Sequence, residues 1–489
     1  MLKSNIAWMK KNVPSDLKVW KGMIQDIDWS QVAAKTKLSL QRDKDRITAE
    51  FKEFAAMDTS AKIDWLMNGD RHLGYLYKKD AIAFARREWK GLKSVGYDFV
   101  GWLKIWGGML NMVMKDPMSI MLAVFEYHWF ASYLATPAVV DRSVFGRRGK
   151  LLQADFDMWV AITHWAEDLI ANLIMADAKI GGNQKINKRI IMFDEMTMAQ
   201  MMAGFPNLLG IPYQMIPVFM VSEMDQLTLI PYIDAIESYG LPSDTCPLPT
   251  AECGCAVKDE YPMCGQGFIA SSMPCDGSVM ATSFQDRRFS KFMPSYPLCM
   301  PVRYDDEDTT EMAAADMKDC IHWVEGLTGE TWNWDTYFAT MEKMNECTRL
   351  EMEKWEINKT HYPQLVGSSF ELFRKWNYEM DGGLFPEGLK TQRKICKTMM
   401  ETYEKKLPAY VGGYEKYRAL IWSCPAHFYA NFSNWLANCW GIYALTEMEA
   451  LNMTKMLNTT DKEEAINDLC RLYERMVMRR HTNGGYHNV

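Results

Sequence analysis

Cysteine residues cluster in one part of this chain, where their thiolates could hold a metal ion or an iron–sulfur cluster. The sequence contains 12 cysteines, and none of them occurs in the first 245 residues. Five then follow within thirty positions: Cys246, Cys253, Cys255, Cys264 and Cys275. Glycine, proline and polar residues surround them, whereas a cysteine that acts as a small core residue lies among apolar neighbours. We therefore expect a metal or iron–sulfur site in this stretch.

The spacing of these cysteines matches no standard local motif. Zinc ribbons and fingers use paired C-x2-C units, and ferredoxins use C-x2-C-x2-C; neither occurs here. The remaining possibility is a site built from single cysteines on separate loops, at the carboxyl ends of strands, where open α/β sheets bind ligands. A cluster held by only three thiolates would leave one iron open to a substrate oxygen.

The candidate ligands differ in their local sequence. Cys246 and Cys275 lie in proline-flanked loops and are the leading candidates. Cys253, Cys255 and Cys264 are weaker candidates, and the alternative for each of them is an inert core thiol. The following cysteines lie on apolar strands or helix faces, and we predict that they are buried: Cys299, Cys320, Cys347, Cys396 and Cys470.

Composition limits the class of protein. A length of 489 residues indicates two to four domains. The net charge of −7, without a long Lys/Arg run, argues against a nucleic-acid partner. The first residues lack the apolar core of a signal peptide, so we expect a cytoplasmic protein whose cysteines are thiols or metal ligands rather than disulfides. The 38 methionines, which oxidise readily, suit an anaerobic setting.

Residues 1–182 are predicted to form a helical N-terminal region, because apolar residues recur there at three- and four-residue spacings. Residues 101–140 are the most apolar part of the chain. Charged residues and two prolines interrupt them, so no run of about twenty apolar residues could span a membrane. We expect buried helices or a subunit interface; the alternative is a helix that lies on a membrane surface.

Residues 183–308 alternate between short apolar runs and helical patterns, which predicts an α/β layer with a parallel sheet. Predicted strands at 189–196 and 213–220 flank a helix at 197–209. A helix at 223–239 precedes the cysteines, and a strand at 295–304 follows them.

The rest of the chain divides into two parts. Residues 309–412 are predicted to be a helical segment, with helices at 309–328, 334–360, 364–380 and 386–406. A strand at 415–425 begins a second α/β unit, 413–489, which is short for a complete one.

Five segments, in this order, carry a resemblance to a known family. They are E-S-Y-G-L-P-S-D-T-C (237–246), S-S-M-P-C-D-G-S (271–278), P-L-C-M-P-V-R-Y-D-D-E (297–307), M-K-D-C-I-H-W-V-E-G-L-T-G-E-T-W-N-W-D (317–335) and E-K-Y-R-A-L-I-W-S-C-P (415–425). They resemble the large subunits of 2-hydroxyacyl-CoA dehydratases, in particular 2-hydroxyglutaryl-CoA dehydratase D-component-like subunits, whose relatives include the benzoyl-CoA reductases. The resemblance covers about residues 186–489.

This resemblance implies a fold, a cofactor and partners. The implied fold has two flavodoxin-like (Rossmann-like) lobes that hold a [4Fe–4S] cluster through three cysteines. The implied partners are a second homologous subunit, an ATP-dependent iron–sulfur activator protein and an acyl-CoA substrate. The implied reaction eliminates water from a 2-hydroxyacyl-CoA through a ketyl radical. The alternatives are reduction of an aromatic acyl-CoA and a structural subunit without a cluster.

The family pattern assigns Cys246 and Cys275 as the first two cluster ligands and leaves the third open. The family's third cysteine usually lies late in the second lobe, in a segment like R-S-C-K-P, which this sequence lacks. Cys424 or another local thiol could replace it, a partner could supply it, or the chain could be truncated. The sequence also has no Walker lysine motif, so we expect ATP to bind a partner.

Polar residues beside the cysteines are candidate catalytic groups. Ser271 and Ser272 could donate hydrogen bonds to a thioester oxygen or to the cluster sulfurs; the alternative is that they cap the end of a strand. Glu252 and Asp276 flank cysteines and could act as general acid or base, or could cap a loop.

Two more groups of charged residues are weaker candidates. Arg287, Arg288 and Lys291 could bind the phosphates of CoA, although a solvated helix face is the commoner arrangement. The segment H-W-A-E-D (164–168) is compatible with a carboxylate metal site, whereas most such groups are ordinary surface contacts.

Overall fold

The protein is described here from a computed structural model. It describes residues 54–68, 92–144, 149–180, 189–193, 199–213, 215–221, 226–272, 276–300, 307–364, 385–407, 415–421, 436–447 and 456–474, together with residue 409 and a few single positions between 30 and 52.

The N-terminal part is helical, as predicted. Its elements are α1 (Thr59–Asn68), α2 (Leu92–Lys115), α3 (Pro117–Glu126), a 3-10 segment (His128–Ala135), α4 (Thr136–Ser143) and α5 (Gly149–Ala176). The chain breaks between α2 and α3 because Asp116 caps α3: its side chain accepts a hydrogen bond from the Ser119 N–H (3.2 Å), and Pro117 occupies the first helical position.

Helix α2 has two apolar faces, and only one of them is buried. Ile105 and Met112 pack into the core against α5. Phe99, Trp106 and Leu110 lie on the opposite face and are each more than half exposed. Within the described ranges, no helix is both long enough and apolar enough to cross a membrane.

A parallel four-stranded sheet follows. Its strands are β1 (Arg189–Phe193), β2 (Leu208–Pro212), β3 (Gly267–Ser271) and β4 (Ser295–Leu298). The helices between them are α6 (Ala199–Met202), α7 (Ile230–Glu237), α8 (Pro247–Val257) and α9 (Asp276–Phe289). The strand order is β2-β1-β3-β4, and all pairs are parallel. The predicted α/β layer with a parallel sheet is therefore confirmed.

Two element predictions in this layer are wrong. The second strand is β2, not residues 213–220, and Met215–Phe219 forms a π-helical turn. The helix predicted at 197–209 is only the four-residue α6. A short apolar run does not distinguish a buried strand from a buried helix. Gly204 follows α6, and a Cβ there would overlap the Trp332 ring, so the close approach of Trp332 requires glycine at this position.

The carboxyl half returns to long helices. Its elements are α10 (Glu307–Thr328), α11 (Trp334–Asn358), α12 (Pro386–Glu404), β5 (Tyr417–Ile421), a π-helical turn (Leu436–Trp440), β6 (Ile442–Glu447) and α13 (Lys462–Glu474). Three of the predicted helices, 309–328, 334–360 and 386–406, are confirmed. The helix predicted at 364–380 lies outside the described residues apart from its first position. β5 and β6 form a separate parallel pair.

A buried ion pair within α11 is hydrogen-bonded to α12. The Lys354 ammonium lies 2.7 Å from the Glu351 carboxylate and donates a hydrogen bond to the Gln392 side-chain oxygen (2.6 Å). All three residues are at most 2% exposed. Such a pair is stable only while both charges are present, since either charge alone would be buried without compensation.

Candidate functional site

The carboxyl ends of the strands form one edge of the sheet. At this edge β3 ends at Ser271, opposite Leu298 at the end of β4. In the sheet, β2 is added on one side of β1, and β4 is added on the opposite side of β3. The order of the strands therefore reverses between β1 and β3, and such a reversal leaves a crevice at the carboxyl edge in which open α/β sheets bind ligands.

Helices α8 and α9 both begin at this edge. α9 follows β3 and must return against it, since β4 runs parallel to β3. Two contacts show that α8 runs in the same direction as α9. Near their middles, Cys253 and Ala281 share an apolar cluster, and at their carboxyl ends Asp259 forms an ion pair with Arg288. The N-terminus of α8 and the N-terminus of α9 therefore lie at the same edge.

Cys246 is the residue that caps α8 at this edge. Its side chain is exposed. Its carbonyl oxygen accepts hydrogen bonds from the N–H (3.2 Å) and the hydroxyl (2.8 Å) of Thr250, which fix the first turn of the helix. The N-terminus of a helix carries partial positive charge, which favours a thiolate and other anions. The position suits a thiolate ligand.

Glu252 lies inside the layer of helices rather than in the crevice. It is fully buried. Its carboxylate accepts a hydrogen bond from the Gln285 side-chain amide on α9. The same amide nitrogen lies 3.1 Å from the Tyr261 hydroxyl. These contacts join α8 to α9, so that Glu252 positions the two helices that begin at the edge.

Three of the candidate thiols are core residues. Cys253, Cys255 and Cys264 are buried, and the Cys264 sulfur lies 4.0 Å from the Met192 sulfur. Burial raises the pKa of the Cys255 and Cys264 thiols well above the usual value, because the thiolate would lose its solvation. A protonated thiol is a poor metal ligand. Their surroundings favour the alternative of inert core thiols.

The two serines have different environments. The Ser272 hydroxyl donates to the Met300 carbonyl oxygen (2.9 Å) and accepts from the Met300 N–H (2.9 Å). It thereby ties the end of β3 to the segment that follows β4. Ser271 is 2% exposed, and its hydroxyl is buried without a hydrogen-bond partner among the described residues. A buried hydroxyl in this state can still bond a ligand.

The other predicted ligands cannot be placed in the same way. Cys275 and Cys424 lie outside the described residues, and Asp276 is described only as the first residue of α9. In the part of the chain that the structure covers, no group of three or more His, Cys, Asp or Glu side chains could hold a metal ion. The assignment of Cys246, Cys275 and Cys424 as ligands stays a prediction.

Cys299 corrects the prediction of five buried thiols. Cys320, Cys347, Cys396 and Cys470 are buried as expected, but Cys299 is exposed. β4 ends at Leu298, so Cys299 is the first residue beyond the strand, level with Ser272 at the carboxyl edge. The predicted strand 295–304 included this cysteine, because no residue in the sequence marks the end of the strand at Leu298.

The basic residues lie away from this edge. Arg287 and Lys291 are exposed, and Arg288 pairs with Asp259. They belong to the end of the 14-residue helix α9 or follow it, which puts them roughly 20 Å from its start. The structure favours the solvated helix face for Arg287 and Lys291, whereas the Arg288 side chain is mostly buried.

Comparison with known proteins gives one finding. Residues 226–486 match the family model described as 2-hydroxyglutaryl-CoA dehydratase, D-component, and this match covers more than half of the chain. No curated protein matches the chain. The matched range includes α8, β3, α9 and β4, which form the carboxyl edge described above.

Proposed function

Because the chain belongs to the family of 2-hydroxyglutaryl-CoA dehydratase D-components, we propose that it is the iron–sulfur subunit of an ATP-activator-dependent 2-hydroxyacyl-CoA dehydratase. The single observation that carries this proposal is the position of Cys246. Its exposed side chain lies at the N-terminus of α8, at the ligand-binding edge of a parallel sheet, inside the matched range.

The family implies an enzyme of more than one subunit. We propose that this chain contributes two α/β lobes to that enzyme. The strand order β2-β1-β3-β4 supports a flavodoxin-like lobe, since that fold has the order 2-1-3-4-5. We assign this lobe to 183–308, and a second lobe, which contains the β5–β6 pair, to 413–489. The helical parts, 1–182 and 309–412, flank and connect the lobes.

Cys246 and Cys275 are the proposed ligands of a [4Fe–4S] cluster. Cys275 directly precedes Asp276, the first residue of α9, just as Cys246 directly precedes Pro247, the first residue of α8. Two parallel helices that begin at one edge direct two positive ends toward the same place, which favours an anionic cofactor.

The third ligand has two candidates in this chain. Cys424 follows β5 by three residues and fits the family order. Cys299 belongs to the described residues, and it is exposed at the carboxyl edge next to the end of β3. A thiolate at either place would complete a set of three and leave one iron for substrate.

The residues at the edge define what the protein contributes to the reaction. When bound, the cluster would supply one low-potential electron to the acyl-CoA thioester carbonyl and would take it back after the 2-hydroxyl group and a proton from C3 had left as water. The unpartnered Ser271 hydroxyl can donate a hydrogen bond to the thioester oxygen or to a cluster sulfur. Ser272 holds the Met300 backbone in place, and Glu252 fixes α8 against α9.

The function is tested with the assembled enzyme. The chain is purified anaerobically with its partner subunit, supplied with the activator, ATP and a reductant, and incubated with separate 2-hydroxyacyl-CoA and aromatic acyl-CoA substrates. Formation of a 2-enoyl-CoA supports the proposal. Reduction of the aromatic ring without dehydration would assign the chain to the reductases, and an iron-free, inactive protein of normal fold would make it a structural subunit.

The third ligand is tested separately by metal content. Cys424→Ser and Cys299→Ser are compared with Cys347→Ser, which replaces a thiol buried in α11. The variant that lacks a ligand should lose iron and the visible charge-transfer absorbance of the cluster, while the other two keep both. Full retention of iron in the first two variants would mean that a partner supplies the third ligand.

A further inference from the structure

A second cavity lies outside the family-matched edge, among the N-terminal helices and one side of the sheet. Its volume is about 790 Å³, which is in the range of pockets that bind small organic ligands. Helices α2 and α5, strands β1 and β2 and the start of α12 contribute to its wall.

The wall of this cavity contains a buried carboxyl group, that of Glu167 on α5. Glu167 is 6% exposed, and its Oε1 atom has no hydrogen-bond partner among the described residues. Gly108 on α2 lies directly against the carboxylate, since a Cβ there would overlap Oε2. Glycine at this position therefore makes the space in which the carboxylate lies.

The other charged residues of the wall are already engaged or lie at the surface. Asp168 forms an ion pair with Lys115, which does not belong to the wall, and the His164 Nδ1 atom lies 3.2 Å from the Glu387 carboxylate. The Lys104 side chain is exposed. Lys115 also attracts Glu167, but its ammonium contacts Asp168, so the wall presents one buried acidic group without an ion-pair partner.

The rest of the wall is largely aromatic and apolar. The aromatic side chains are those of Trp165, Phe193, Phe205 and Phe385. The faces of aromatic rings attract cations, and the attraction grows when the cation is desolvated. Apolar surface of this kind also stabilises the hydrocarbon part of a ligand by removing it from water.

From this arrangement we propose that the cavity binds an organic monocation with an apolar body, whose positive group lies against Glu167 while its hydrocarbon part contacts the aromatic wall. A metal ion is disfavoured because the described residues contain no group of three ligands for it. An anionic ligand would have to approach the unpaired carboxyl group, since the Lys115 ammonium is paired with Asp168.

Binding of a cation is coupled to ionisation of Glu167. Burial raises the pKa of this carboxyl to about 8, although the nearby Lys115 opposes the shift. Below that pH a cation must displace a proton, so its affinity should rise with pH, by up to about tenfold per unit, and level off above the pKa. The other titratable or charged groups around this carboxyl are those of His164, Lys104, Lys115, Asp168 and Glu387.

The experiment uses three small aromatic probes that differ in charge: benzyltrimethylammonium, benzyl alcohol and benzenesulfonate. The ammonium probe cannot lose its charge, so any pH dependence belongs to the protein. Affinity for the full-length chain is measured by calorimetry from about pH 6 to about pH 9. The variants are Glu167→Gln and His164→Gln. The control is Glu346→Gln, which makes the same chemical change as the first variant in an ion pair of α11 with Arg393.

The expected result has three parts. At about pH 9, where the Glu167 carboxylate is ionised, the cation binds at least about tenfold more tightly than the neutral and the anionic probe. Its affinity rises with pH in the wild type, in His164→Gln and in Glu346→Gln, and Glu167→Gln loses both the preference and the rise. Equal or tighter binding of either other probe, no binding of the cation, or an unchanged pH profile in Glu167→Gln would overturn the proposal. If Glu167→Gln does not fold, the proposal is tested by the wild type alone, from the relative affinities of the three probes and the pH dependence of cation binding.

Discussion

The replacement Glu252→Ala tests whether the buried carboxylate of α8 has a structural role. Glu252 is fully buried and accepts a hydrogen bond from the Gln285 amide of α9. Truncation to alanine removes this acceptor and leaves the Gln285 nitrogen with only the Tyr261 hydroxyl at 3.1 Å. The two helices whose N-termini approach the proposed cluster would then be less firmly joined.

The size of the effect follows from the contacts that are lost. A buried donor left without its acceptor costs about 1–3 kcal/mol, and removal of one methylene group, Cγ, from the core costs about 0.8 kcal/mol. The free energy of unfolding should therefore fall by about 2–4 kcal/mol. Glu252→Gln keeps the shape and one acceptor oxygen, so its loss should be smaller, about 1 kcal/mol.

The assay is urea unfolding of four proteins: wild type, Glu252→Ala, Gln285→Ala and the double variant. Because the two side chains contact each other, the double variant should lose about 1–2 kcal/mol less than the sum of the single variants. Strictly additive losses would refute the contact as the origin of the effect. A Glu252→Gln variant with unchanged stability and iron content but no turnover would refute the structural role and restore an acid–base role.

Three further predictions follow from other buried groups. Lys354→Met should lower the free energy of unfolding by about 3–5 kcal/mol, since it leaves the Glu351 charge buried alone. In the same urea assay, adding Glu351→Leu should recover most of the lost stability. No recovery would contradict the ion-pair explanation. Gly254→Ala should lower the free energy of unfolding by about 1–3 kcal/mol, because its Cβ would overlap the backbone of α7. Gly326 lies in a helix with open space around it, so Gly326→Ala should raise the free energy of unfolding by up to about 1 kcal/mol. Equal shifts of the thermal unfolding midpoint in the two variants would contradict this packing. The raised pKa of Glu167 means that the folded state binds this proton more tightly than the unfolded state. The free energy of unfolding should therefore fall as the pH rises from about 5 to about 8, by up to about 1.4 kcal/mol per pH unit. Glu167→Gln should lose this part of the pH dependence, and an unchanged pH profile in that variant would refute the assignment to Glu167.

Long helices were predictable because the three- and four-residue spacing of their apolar residues repeats over many turns. The helix predicted at 309–328 is observed as Glu307–Thr328, and the one at 386–406 as Pro386–Glu404. The strands of the parallel sheet have only four or five residues each. β1 and β3 are buried along almost their whole length, so they lack an alternating pattern. The strand predicted at 213–220 was wrong for this reason.

The site was predictable only in part. The burst of cysteines located Cys246, but it also included the weaker candidates Cys253 and Cys255, whose burial the sequence does not reveal. The structure puts them on α8, where every residue from Pro249 to Cys255 is buried. The sequence predicts loop and short helix for the cysteine-rich stretch. The observed helix is α8, which begins at Pro247, and Gly254 lets it approach the Tyr232 backbone.

Other functional candidates depend on long-range packing that no local pattern records. Glu167 is buried because α2 approaches α5 at Gly108, which is distant in the sequence. Its neighbour Asp168 is exposed, although both belong to the same segment, H-W-A-E-D. Cys299 became a candidate only when the end of β4 was known.

The central claim is that Cys246 and Cys275 hold one iron–sulfur cluster between the starts of α8 and α9. The most direct measurement is iron and acid-labile sulfide content of anaerobically purified protein, for wild type beside Cys246→Ser, Cys275→Ser and the buried-thiol control Cys347→Ser. We expect about four irons per chain in the wild type and the control, and a marked loss of both elements in the other two variants. Unchanged iron and sulfide in Cys246→Ser and Cys275→Ser would contradict the account.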